Sequence, residues 1–216
     1  MKAIILLSGG LDSAVAGAWA KKEWGKDCLA LCFSYEQRHT KEILCSTRLA
    51  DYFGWPWKLL NIVIPAQSAL TDKAKDVNQQ VRGLPASFVP GRNLIFLSYA
   101  ASVAYHHEAS NIVGGWNSID YSGYPDCRLE FLQAAETTIN YALGTDKLYI
   151  HRPLIQMAKV DIVQLGQELK VPFEMTWSCY EGWDKPCRVC ESCKFRAKGF
   201  EEAGIKDPLL NRFDAF

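Results

Sequence analysis

Two sets of residues carry chemistry by their type and spacing. The first is Ser8-Gly9-Gly10-Leu11-Asp12-Ser13, which follows five apolar residues at positions 3–7 of the 216-residue chain. Adjacent glycines let backbone N–H groups approach an anion closely. Two serines add hydroxyl donors, and a helix beginning near Asp12 aims its positive end at the same point. The arrangement points to a cradle for nucleotide phosphate. It lacks the Gly-Lys-Ser/Thr ending of a Walker loop, so no lysine within it grips terminal phosphates. A Gly-Gly pair also makes tight turns in which Asp12 or Ser13 only caps a helix. The coincidence of strand, loop and helix start favours the phosphate reading.

The second set is Cys179, Cys187, Cys190 and Cys193, four of the eight cysteines, separated by seven, two and two residues. Two Cys-x2-Cys knuckles supply three thiolates and a preceding loop supplies the fourth. In a reducing compartment this reads as metal binding before disulfides. Four thiolates suit tetrahedral zinc with no open position, which makes the site structural. Cys-x2-Cys-x2-Cys also occurs in iron–sulfur proteins, but no other motif here implies electron transfer, so zinc leads. Cys28, Cys32, Cys45 and Cys127 fall among predicted core elements and read as small hydrophobes.

Smaller groups lie between these sets. Gln37-Arg38-His39 follows the second predicted strand, where a substrate contact or a solvated loop is equally expected. Pro90-Gly91-Arg92-Asn93 opens a helix, with Asn93 as its cap and Arg92 as a planar fork for phosphate or carboxylate. Asp120 and Asp126 bracket Ser122-Gly123-Tyr124-Pro125, a polar turn with aromatic faces suited to stacking a flat heterocycle. Lys159 and Asp161 open another helix, where the lysine either neutralises phosphate charge or is an ordinary exposed residue. His106-His107 near a helix end read as helix cations, since no third metal-binding residue is near them in sequence.

Alternating apolar runs and amphipathic stretches supply the elements that must position these groups. The pattern predicts strands 3–7, 28–34, 57–63, 111–115 and 147–151, and helices 13–24, 41–53, 93–108, 128–143 and 160–169. This βαβα rhythm predicts an α/β fold with a doubly wound, mostly parallel sheet and helices on both faces. Ligands in such sheets bind at the carboxyl ends of strands, which gathers the loops after residues 7, 34 and 115 into one crevice. Residues 64–92, rich in Pro and Gly, read as a long functional loop. The chain divides into a nucleotide-binding unit, 1–170, and a small helical zinc-binding unit, 171–216.

Composition excludes several classes. With 49% hydrophobic residues the chain can bury a full core, and the first apolar run is broken too early for a signal peptide, which predicts a cytoplasmic protein without a membrane partner. Twenty-four basic residues balance 24 acidic ones, so no positive field draws a stable nucleic-acid partner.

The 8–13 loop resembles the pyrophosphate loop of enzymes that attack the α-phosphate of ATP. Together with Tyr35-Glu36-Gln37-Arg38-His39, Phe88-Val89-Pro90-Gly91-Arg92-Asn93, the segment from Asp120 to Arg128 and the four cysteines, it resembles the 7-cyano-7-deazaguanine synthase family, PP-loop ATPases of queuosine precursor biosynthesis. The resemblance implies an adenine-nucleotide α-hydrolase-like fold, a structural Zn²⁺, a homodimer, and conversion of 7-carboxy-7-deazaguanine, ammonia and ATP to the nitrile. It casts Ser8, Gly9, Gly10, Leu11, Asp12 and Ser13 as ATP-binding, Arg92 and Lys159 as catalytic cations beside Mg²⁺, and Arg38, Asp120, Tyr124 and Asp126 as substrate-binding. Cys127 has no evident base and is not expected to be a nucleophile. Glu36 and Arg188 depart from the family pattern, each standing where glycine is common. Two other functions fit the same residues: ligation of the activated acid to a different amine, including a protein amine, and a zinc-stapled nucleotide-binding module without catalysis.

Overall fold

The computed structural model describes residues 1–38, 40–65, 68–72, 74–118 and 123–213. Apolar runs that must be covered on both sides build its centre: β1 (Ala3–Leu6) and β2 (Cys28–Ser34) are almost wholly buried, as strands of a two-faced parallel sheet must be. They are joined by α1 (Leu11–Trp24), whose alanines, Gly17 and Val15 are buried. Small side chains let this helix lie close to its neighbours; a Cβ on Gly17 would come within 3.1 Å of the Phe53 ring.

The chain continues through α2 (Lys41–Phe53), β3 (Trp57–Asn61), a hairpin of β4 (Gln80–Val81) and β5 (Leu84–Pro85), α3 (Arg92–His106), β6 (Asn111–Val113), α4 (Leu129–Leu143), β7 (Tyr149–His151), α5 (Lys159–Glu168), α6 (Glu191–Glu202) and α7 (Pro208–Asn211). Short 3₁₀ turns lie at Pro125–Cys127 and Phe173–Met175. Five strands pair in parallel in the order β3-β2-β1-β6-β7. The winding reverses between β1 and β6, so the loops after these two strands diverge and open a crevice at their carboxyl ends.

Each sheet face carries a core. Ile5, Leu7 and Val113 pack with residues of α1, α2 and α5 on one side. Ile4, Leu31, Phe33 and Ile112 pack with α3 and α4 on the other. The chain beyond residue 170 contributes to both, with Phe173 and Phe200 in the first core and Trp177, Cys179, Cys190 and Leu209 in the second.

The doubly wound parallel sheet matches the sequence expectation, with differences at element ends. Helix α1 starts at Leu11 rather than 13 because Gly10, in extended backbone, forms its cap. Helix α3 starts at Arg92 with Gly91 as its cap, so Asn93 is its second residue and not the cap. Gly91 can take the φ of 74° found there, and the capping acceptor comes from elsewhere: Asp126 Oδ2 receives the Asn93 N–H at 3.1 Å. The 64–92 stretch contains the β4–β5 hairpin, whose turn residues Arg82 and Gly83 both have positive φ, at 53° and 77°. Arg-Gly is a weaker sequence signal for this turn than Asn-Gly, which is why the hairpin is not visible in the pattern.

Candidate nucleotide site and thiolate cluster

The 8–13 loop leaves β1 at the point where the sheet's winding reverses. Gly9 has φ 94°, and a Cβ there would lie 2.1 Å from the Glu42 carbonyl oxygen, so glycine is required both by conformation and by the close approach of α2. Gly115, after β6, presses on the other side, where a Cβ would meet the Asp12 backbone at 2.6 Å. Ser8 Oγ donates to Ser13 Oγ at 3.0 Å and accepts from Gly10 N at 3.2 Å, while Ser13 Oγ also contacts Gly10 O at 2.9 Å. The first intrahelical bond of α1 runs from Ala14 N to Gly10 O. The N–H groups of Leu11, Asp12 and Ser13 therefore have no intrahelical acceptor and end the helix as an anion-binding face.

A cavity of ≈ 310 Å³ opens in front of this loop. That volume is at the lower end of the range for small-molecule sites. Lys159, at the start of α5, reaches across and donates to both Asp12 carboxylate oxygens at 2.7 and 2.8 Å. Room for its stem comes from Gly199 of α6, where a Cβ would fall 2.4 Å from Lys159 Cγ. The opposite wall is aromatic: Phe33 and Phe96 stack at 4.1 Å, with Tyr35 edge-on to Phe96 and Trp116 also in the lining. Arg92 Nη1 donates to Tyr35 Oη at 3.2 Å, and its buried Nε has no hydrogen-bond partner among the described residues. Burial pushes the Glu42 carboxyl up to about 7, against the pull of the Arg92 guanidinium.

Ser8, Gly10, Leu11, Asp12, Ser13, Arg38, Arg92, Tyr124 and Lys159 all line this cavity. Gly9 sits behind the loop against α2. Arg38 reaches the cavity, but its guanidinium bonds the Asp72 carbonyl at 2.9 Å, the Lys75 carbonyl and the Glu181 carboxylate, tying Asp72 and Lys75 to the cysteine region. Tyr124 Oη meets Ser87 Oγ at 2.7 Å. Asp126 is buried outside the cavity lining and caps α3, and Asn93 Nδ2 returns a bond to its carbonyl at 2.9 Å. Asp120 and His39 lie outside the described residues. Burial raises the Cys127 thiol to about 12, which keeps it protonated near neutrality and unsuited to be a nucleophile. The loop after residue 115, expected at the crevice, brings Trp116 and Asn117 into the wall, whereas sequence reasoning missed Glu42, Gly115, Ser178, Tyr180 and Arg196. Of these only Gly115, placed just after β6, carried a usable signal.

Cys179, Cys187, Cys190 and Cys193 converge so that their Sγ atoms all lie within 4.8 Å of one another, with Cys187 and Cys193 3.9 Å apart. One tetrahedral ion with metal–sulfur bonds of about 2.3 Å would space its sulfurs about 3.8 Å apart, so the donor set fits a single ion. Backbone N–H groups point at the sulfurs: Gly182 and Cys187 donate to Cys179 Sγ at 3.0 and 3.2 Å, and Cys190 donates to Cys187 Sγ at 3.3 Å. These bonds favour the thiolate form and hence a cation.

A glycine loop at the switch point of a five-stranded parallel sheet defines a doubly wound α/β protein with an anion-binding helix start. The same fold is seen in the NMN synthetase of Francisella tularensis, at 17% identity over 95% of this chain and 78% of that one, with a TM-score of 0.53. The NH3-dependent NAD synthetase of Campylobacter jejuni gives 14% identity over 99% and 82%, with a TM-score of 0.50. Residues 2–204 match the family described as Queuosine biosynthesis protein QueC, and the chain belongs to that family. Relatives named 7-cyano-7-deazaguanine synthase include those of Trichodesmium erythraeum, 42% identical over 97% of this chain and all of its own, and Thermoplasma acidophilum, 44% identical over 96% and 91%. The chain is therefore an enzyme of the ligase class in queuosine precursor synthesis.

Proposed function

We propose that this protein converts 7-carboxy-7-deazaguanine and ammonia to 7-cyano-7-deazaguanine, using one ATP for each of two activations in a single cavity. The observation that carries the reading is the 8–13 loop, open to the cavity through the first N–H groups of α1 and faced by the Lys159–Asp12 pair. A carboxylate is a poor electrophile. Its oxygen attacks the α-phosphorus of ATP, pyrophosphate leaves into the 8–13 loop, and an acyl adenylate forms. Ammonia adds to the acyl carbon, the C–O bond to AMP breaks, a proton is lost and an amide results. The amide oxygen then attacks a second ATP; loss of AMP and two protons leaves the nitrile. Both carboxylate oxygens thus depart in AMP.

The chain's own residues supply position and charge rather than a nucleophile. Helix α1 and the two serines hold the departing pyrophosphate, while Lys159 and Arg92 stabilise negative charge as it develops. The Phe33–Phe96 wall and Tyr124 flank the flat heterocycle. Arg38 and Asp126 act from behind, holding the loop walls in place. Mg²⁺, which binds through one or two carboxylates plus substrate phosphates, would be held by Asp12 with the nucleotide and would neutralise phosphate charge. Zn²⁺ would be held by Cys179, Cys187, Cys190 and Cys193 as a closed structural crosslink. The same reading takes the protein as a cytoplasmic homodimer, supported by family membership and by the lack, among the described residues, of a helix long and apolar enough to cross a membrane.

Mass spectrometry of purified protein with the acid, ATP and Mg²⁺ tests the reading. With ammonia present, amide and nitrile should both accumulate; without it, only acid-dependent AMP-adduct chemistry should be seen. Neither amide nor nitrile in the presence of ammonia would refute it.

A further inference from the structure

Arg196 lies in the cavity wall, yet nothing in its hydrogen bonding is left for a ligand. Its Nε and Nη2 grip the Asp207 carboxylate at 2.6 and 2.9 Å, Nη2 also reaches the Phe173 carbonyl at 3.1 Å, and Nη1 bonds Thr176 Oγ1 at 2.7 Å and Ser178 Oγ at 3.4 Å. All five guanidinium hydrogens are thereby assigned. Both members of the ion pair are almost wholly buried, with side-chain exposures of 6% and 4%. A charge pair so expensive to desolvate calls for a reason beyond stability.

The residue between the two hydroxyl partners provides one. Trp177 N–H donates to the Gly9 carbonyl at 2.9 Å. In a trans peptide the carbonyl and the following N–H point in opposite directions. Fixing the Gly9 carbonyl on Trp177 therefore turns the Gly10 N–H to the opposite side, toward the Ser8 hydroxyl. Glycine flanked by glycine has little intrinsic resistance to flipping that peptide, and a flip would aim a carbonyl oxygen at the phosphate site.

We infer that the Arg196–Asp207 pair is a positioning device for the nucleotide loop, acting through residues 176–178 to hold the Gly9–Gly10 peptide in its anion-accepting orientation. Asp207 also caps α7 through the Leu209 N–H at 3.0 Å, and it lies past residue 204, where the family match ends. The 205–211 segment, remote from the loop in sequence, thus belongs to the phosphate site in function. The inference rests on the phosphate reading of the 8–13 loop proposed above.

Calorimetric titration of the full chain with ATP and with inorganic pyrophosphate tests it, using Asp207→Asn, Asp207→Glu and Thr176→Val. Wild type should bind both ligands; a wild type that binds neither would overturn the phosphate reading itself. Asp207→Asn and Thr176→Val should bind pyrophosphate at least tenfold more weakly while the KM for the deazaguanine acid stays within twofold. Asp207→Glu should recover most of the loss. If Asp207→Asn does not fold, Thr176→Val, which removes one hydroxyl and keeps the side-chain shape, decides alone. Folded variants with wild-type pyrophosphate affinity, or an equal loss for pyrophosphate and acid, would overturn the inference.

Discussion

Both ends of the chain aim backbone N–H groups at negative atoms, and they differ in whether those groups are already used. Around Cys179 and Cys187 the N–H groups of Gly182, Cys187 and Cys190 are spent on sulfur within the chain. In the 8–13 loop the first N–H groups of α1 have no intrahelical acceptor, and the helix cap is a glycine with no side chain to satisfy them. Under the proposed function, one region would be finished by a metal that stays, and the other kept open for a ligand that comes and goes. The difference teaches which of two glycine- and cysteine-rich turns is structural and which is chemical, before any ligand is considered.

The comparison breaks most sharply if the cysteine region folds without any metal. Cys190→Ser should lose the bound metal and melt the 177–204 segment, a loss of order 10 kcal/mol of local folding free energy by analogy with small metal domains. Metal analysis together with hydrogen exchange of α6 reads this. On the other side, Gly9→Ala forces a Cβ into the Glu42 carbonyl at 2.1 Å and into an unfavourable φ of 94°. It should cost at least about 3 kcal/mol of stability and abolish pyrophosphate binding while metal content is retained. Loss of both together would erase the distinction between the regions.

Glu42 sharpens the chemical side. Its folded carboxyl is raised from 4.5 to about 7 by burial, so the native protein holds this proton more tightly than the unfolded chain. Stability from this group is fully present below about pH 4.5 and falls as pH rises toward 7. Glu42→Gln should gain about 3 kcal/mol over wild type between pH 4.5 and pH 8, read from denaturant midpoints at each pH. The smallest effect concerns Glu36, exposed with φ 63°. Glu36→Gly should stabilise the fold by up to about 1 kcal/mol, because left-handed backbone costs an L-residue more than glycine loses in unfolded-chain entropy. Differential scanning calorimetry with and without ATP would show it.

Much of this was legible in the sequence because it depends on local pattern. The strand at 3–6, the glycine loop and the helix after it are contiguous, and the cysteine spacing alone brings four thiolates into reach. Two positions where the resemblance leads to an expectation of glycine also gained a physical meaning: Glu36 and Arg188 occupy positive φ, at 63° and 64°, where glycine is the ordinary choice. What sequence did not reveal are relations made by the fold. Glu42 enters the wall because its helix packs on Gly9, and Gly199 matters because α6 lies against Lys159. Asp126 looked like a ligand-binding carboxylate in a polar turn, yet the fold uses it to cap a helix that begins at residue 92. Arg196, three residues beyond the last cysteine of the cluster, has partners at 173, 176 and 207 that no spacing rule connects.

The central claim is that ATP activates a carboxylate, and afterwards an amide, through oxygen attack at the α-phosphorus. It is tested most directly by following the oxygens. With both carboxylate oxygens of 7-carboxy-7-deazaguanine labelled with ¹⁸O, turnover with ammonia and ATP should give unlabelled pyrophosphate and two AMP per nitrile, each carrying one ¹⁸O. Label in inorganic phosphate, formation of ADP, or nitrile with unlabelled AMP would contradict the account.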